Sequence, residues 1–159
     1  MPFRTRPDQP RDLVALIESE VRERIEDAVD HVSLEVLVES RRARGLPPPA
    51  ADSARDRSEY EAGVRAFLER LHADLVPALD PVERRKVEAA AERAGPEPVA
   101  RLVLAQVALA RMVPDYWQRF DAVRLAFTDE RLGGVVGRRS PPAESGGERR
   151  GRLGRLFAR

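Results

Sequence analysis

At 159 residues the chain is long enough for one domain with a buried core and a remainder outside it. Its 42% hydrophobic and 35% charged residues exclude a wholly disordered chain, and the absence of cysteine excludes a disulfide framework, a thiolate zinc site and a cysteine nucleophile. The net charge of +1 hides a division: from Gly133 onward seven arginines stand against two glutamates, so that end carries +5 and the residues up to Leu132 carry −4.

Residues 1–10 carry no apolar run and read as a flexible N-terminus. No stretch approaches the roughly 18 apolar residues of a membrane span, so the expectation is a cytoplasmic protein, neither secreted nor transmembrane. The first long segment, "RDLVALIESEVRERIEDAVDHVSLEVLVESRRARG", sets Leu13, Ile17, Val21, Ile25, Ala28, Val32 and Val36 at helical spacing. Arg41, Arg42 and Arg44 suit the negative end of the helix dipole, Gly45 suits a left-handed cap, and Pro47 to Pro49 cannot continue the helix. Within it, Val32 to Val38 alternate apolar and polar, which leaves a strand or a second helix from Ser33 open beside the favoured single helix. Unbroken, residues 11–44 span about 50 Å, against about 30 Å for a 20-residue neighbour. Two outcomes follow from that excess: a homodimer in which the overhang meets its mate, or a kink near Ser33.

A linker, "LPPPAADSAR", precedes a second helix, for which Ser58 and Glu61 have the spacing of a capping box. Tyr60, Val64, Phe67, Leu68, Leu71 and Leu75 form its stripe, and Pro77 stops it. Asp80, Pro81 and Glu83 mark the start of a third helix, with an alanine-rich face (Ala89, Ala90, Ala91, Ala94) that ends at Gly95 and Pro96. "VARLVLAQVALARMV" is apolar nearly all round, the signature of a central helix. After Pro114, Tyr116, Phe120, Val123 and Phe127 share one face of a fifth, with Trp117 beside them, closed by Gly133 and Gly134. The expected fold is all-α: about five helices over residues 11–132 in an antiparallel bundle or orthogonal array.

Chemistry-bearing motifs are sparse. Glu69 and His72 have the Glu-x-x-His spacing of di-iron bundles, but the first helix offers Asp27 and His31 at a spacing of four, and Glu69 projects opposite its helix's apolar stripe. Both histidines read as boundary residues, so no metal site is expected. Neither a nucleophile elbow nor a phosphate-binding glycine loop occurs. No catalytic residue and no cofactor is assigned, and the expectation leans away from an enzyme. Arginines of the body alternate with glutamates, as in "ERRKVEAAAER", so nucleic acid is not an expected partner either.

The end of the chain is the sharpest clue. Residues 133–147 have the composition of a flexible linker, and residues 148–159 form a basic amphipathic segment. Taken as a helix, it groups Leu153, Leu156 and Phe157 on one face and Arg152, Arg155 and Arg159 on another, with Arg149 and Arg150 one turn earlier. "RRGRLGRLF" resembles the C-terminal membrane-targeting helices of bacterial cell-division and septum-placement proteins. "LGRL" is similar to the C-terminal docking peptides that carry cargo into encapsulin shells, with Arg155 where those peptides tend to hold a small polar residue. The functional expectation is a non-enzymatic helical adaptor whose body engages a protein partner and whose basic segment meets an anionic membrane surface, at its inner face, or an acidic partner. The alternative is a helical cargo or metal-handling protein docked through the same segment.

Overall fold

The computed structural model describes residues 10–133. Among these are five α-helices, α1 (Pro10–Ala43), α2 (Ala54–Leu75), α3 (Pro81–Glu92), α4 (Pro98–Met112) and α5 (Tyr116–Leu132), and a 3-10 turn, Val76–Ala78, that follows α2. No strand occurs among the described residues, and the all-α expectation is met.

α1 runs unbroken through residues 32–38 and past Ser33, so neither a strand nor a second helix begins there. The alternation that resembled a strand has a packing cause. Here α1 is buried on two sides: Val29 and Val32 belong to the main core, while Leu34 and Leu37 close on Tyr60 in a smaller cluster. Apolar residues therefore recur at helical spacing on two faces at once, which reads as a period near two. Ser33, 3% exposed, satisfies its hydroxyl within the helix by donating to the Val29 carbonyl at 2.7 Å. After Ala43, Gly45 takes the left-handed conformation (φ +68°) that ends the helix.

α2 begins one turn earlier than the Ser58 and Glu61 spacing implied. Ser53 is the N-cap, its hydroxyl accepting from the Asp56 backbone N–H at 3.3 Å. The serine-to-acid spacing recurs at Ser53 and Asp56, and there the acid also has a buried partner in Arg41, which fixes the start. Asp80 and Glu83 do form the reciprocal capping box that opens α3, at 2.8 and 3.2 Å. α4 opens on Glu97, whose carboxylate accepts from the N–H groups of Val99 and Ala100 at 3.0 and 2.6 Å.

α4 packs against each of the other four helices. Val103, Ala105, Val107 and Leu109 are buried on it, as its nearly all-apolar sequence requires. Around it stand Ile25, Val29 and Val32 of α1, Phe67, Leu68 and Leu71 of α2, and the aromatic face of α5. Phe67 bridges that face, with its ring centroid 5.4 Å from Phe120 and 5.1 Å from Phe127. The alanine face of α3 is only partly enclosed: Ala90 is buried, Ala91 and Ala94 are half-buried, and Ala89 is exposed. Gly133, at φ +56°, caps α5 by its N–H to the Asp129 carbonyl.

Candidate functional site

The eight residues singled out for recognition, Arg149, Arg150, Arg152, Leu153, Arg155, Leu156, Phe157 and Arg159, lie outside the described residues, as do the linker beyond Gly133 and residues 1–9. Among the features of the described body are two larger clefts, a pair of buried polar groupings and one exposed apolar helix end.

The larger cleft, about 590 Å³, opens between α2, α3 and α4 and includes Glu69, His72, Glu88, Glu92 and Arg101. Glu69 and His72 thus share a cleft without sharing a ligand position. Glu69 is drawn to Arg65 at 2.9 Å on the exposed side of α2. His72 is half-buried, its Nδ1 is enclosed without a hydrogen-bond partner, and burial lowers its pKa below the ordinary histidine value. His31 is exposed on α1. Among the described residues no group of three or more His, Cys, Asp and Glu side chains is arranged to hold a metal ion.

The second cleft, about 480 Å³, lies between α1, α2 and the start of α4. On its rim Tyr60 donates its phenolic O–H to Asp30. Burial, aided by the charge of Asp27, pushes the Asp30 carboxyl up to about 7. A carboxyl that holds its proton near neutral pH is chemically competent to give or take one. Glu26 is taken by Arg22 at 2.7 Å, and Glu97 is committed to capping α4. The floor is aliphatic, formed by Val29, Val64, Leu68 and Val103.

Two buried polar groupings were not anticipated from the sequence. Arg41, expected to serve the helix dipole, is 8% exposed and is held by Asp56 and, at 2.9 Å, by Glu59. Asp56, held well below the usual carboxylate range by Arg41, also accepts from the Ala50 N–H at 2.9 Å, so this cluster ties α1, the 44–53 connection and α2 together. Gln106, fully buried, accepts from the Tyr116 hydroxyl at 2.8 Å and leaves its Nε2 without a partner. Only the spacing of Arg41 from Asp56 across a proline linker, and a lone Gln in an apolar helix, signalled them.

The apolar helix end is the first two turns of α1. Leu13, Val14, Leu16 and Ile17 are 53%, 43%, 56% and 45% exposed, N-terminal to the stripe that is buried from Ile25 on. The overhang expected from the length of α1 is present. It begins beyond Glu18, which receives Arg111 of α4 at 2.7 Å and Arg93 at 4.0 Å.

Fold and surface together define a five-helix all-α domain with an acidic body. Comparison of the chain with protein families, with curated proteins and with solved structures returns no match. Among the described residues no helix is long and apolar enough to cross a membrane.

Proposed function

We propose that this is a non-enzymatic helical adaptor, in which the body engages a protein partner and residues 148–159 hold it reversibly at an anionic membrane surface, on the cytoplasmic side. The observation that carries the reading is the division of charge, −4 up to Leu132 against +5 from Gly133 onward, with Leu153, Leu156 and Phe157 set among the arginines. Arginines of the body support it by their occupation: Arg22, Arg41, Arg65, Arg70 and Arg111 are all ion-paired to carboxylates.

Magnitudes set the expected behaviour. Full burial of a large apolar side chain contributes about 1.5–3 kcal/mol, insertion at an interface is partial, and each arginine near anionic lipid adds about 1 kcal/mol. Ordering so short a segment opposes these gains. A single copy binds weakly and releases readily, and two copies in a homodimer would bind far more tightly through effective concentration.

The test replaces residues 148–159 by a permutation that keeps composition and amphipathic spacing but destroys the order Leu153, Gly154, Arg155, Leu156. Retained binding to anionic vesicles supports membrane recognition. Loss of binding with the permutation, or vesicle binding that never occurs while an acidic protein is captured, points to a docking peptide or an acidic partner.

A further inference from the structure

The exposed end of α1 and the C-terminal segment are incomplete in complementary ways. At 100° per residue, Leu13, Leu16, Glu20, Glu23 and Asp27 share the face of α1 turned away from Ile25, Val29 and Val32. All five are exposed. Glu20, Glu23 and Asp27 form no ion pair among the described residues, unlike Glu18, held by Arg111, and Glu26, held by Arg22. This face therefore runs apolar and then acidic from N to C. The apolar face of the C-terminal segment, taken as a helix, runs the other way: Arg149 and Arg150 come first, then Leu153, Leu156 and Phe157, while Arg152, Arg155 and Arg159 lie on another face. Only an antiparallel alignment matches both halves. The lengths are comparable as well, since the ten residues from Leu13 to Glu23 rise about 15 Å and the eight from Arg149 to Phe157, as a helix, about 12 Å.

We propose that residues 148–159 dock antiparallel on this outer face of α1 of the same chain, with Leu153, Leu156 and Phe157 against Leu13 and Leu16, and Arg149 and Arg150 against Glu20 and Glu23. Those two clefts fit this occupant less well: Arg101 stands in the larger one, and in the second Glu26 is held by Arg22 and Glu97 caps the α4 backbone. Residues 134–147 permit an intramolecular arrangement. Fourteen residues have a mean span of about 20 Å as a flexible chain and reach about 45 Å when extended, beside a radius of gyration of about 14 Å for a body of this size. A tether of that length supplies a local concentration in the millimolar range, ahead of any second copy at micromolar concentration.

Docking covers the residues that meet the membrane, so α1 and anionic lipid compete for one segment. This inference rests on the reading of residues 148–159 as a recognition element, and it adds the regulation of that element. Relief comes from whatever binds the α1 face or presents enough anionic surface.

A chain with no cysteine allows a clean test. A nitroxide on Ala158→Cys of the full-length protein, without lipid, should broaden the backbone amide resonances around Leu13 to Ile17. A nitroxide on Gly147→Cys should instead broaden those around Glu20 to Asp27. Both patterns should survive dilution into excess unlabelled, isotopically silent protein. Leu13→Asp with Leu16→Asp, and independently Glu20→Lys with Glu23→Lys, should abolish them; both pairs are exposed, so the fold is retained. If docking masks nine-tenths of the segments, the leucine variant should bind anionic vesicles about tenfold more tightly. Absence of selective broadening on α1, a reversed order of the two labels, or broadening that disappears on dilution and so belongs to a second copy would each overturn the proposal. Selective broadening without vesicle binding would sink the membrane reading alone, and vesicle binding without broadening would sink the docking alone.

Discussion

Glu18 of α1 accepts a 2.7 Å hydrogen bond from Arg111 at the end of α4, and N-terminal to that ion pair α1 presents Leu13, Val14, Leu16 and Ile17 to solvent. One helix thus has two regimes. Up to Ile17 its apolar side chains contribute little to the stability of the body, and from Val21 on they enter the core.

That boundary sets the first expectation. Leu13→Asp and Leu16→Asp should each change unfolding free energy by no more than about 0.5 kcal/mol, whereas Ile25→Ala should cost about 2–5 kcal/mol through lost burial and a cavity. Urea denaturation followed by far-ultraviolet circular dichroism measures both.

The Asp30 carboxyl gives a pH dependence of definite sign. Unfolded, it titrates near 3.8; folded, burial and Asp27 raise it to about 7. Between those values the folded state holds the extra proton, so this contribution is fully present below about 3.8 and is lost as pH rises through 7. Asp30→Asn keeps an acceptor for the Tyr60 hydroxyl and should flatten the decline, giving a higher melting temperature than wild type at pH 8.

His72 acts in the opposite sense. Burial lowers its pKa, so the folded state favours neutral imidazole, and stability falls as pH drops through the ordinary histidine value of 6.5. His72→Gln should remove that loss. Melting curves at pH 5 and pH 8 for both single variants separate the two groups, since their slopes have opposite signs.

Gln106 and Tyr116 form a buried pair best read by a double-mutant cycle. Tyr116→Phe strands the Gln106 Oε1 and should cost about 1–3 kcal/mol, while Tyr116→Phe combined with Gln106→Leu should cost less than the sum of the single changes, because no polar atom is then left enclosed. A strictly additive result would contradict the hydrogen bond between them.

Helix identity was legible wherever a local signal agreed with a single buried face. Asp80 with Glu83, the stripe of α2 and the nearly all-apolar α4 each carried enough information in sequence. The failures share a cause. Val32 to Val38 looked like a strand because α1 is buried there on two sides, which no single-face periodicity represents. Ser58 was preferred to Ser53 because the deciding partner, Arg41, lies on another helix. The same limit hid the Asp30 and Tyr60 pair: thirty residues separate them, and only the antiparallel packing of α1 and α2 brings them together.

The central claim is that this segment places the protein on an anionic surface. Its most direct test is co-sedimentation of the full chain and of residues 1–145 with neutral and with anionic vesicles, at low and high salt. The account predicts binding that requires anionic lipid, weakens as salt rises and disappears on truncation. Equal sedimentation of the two proteins under every condition would contradict it.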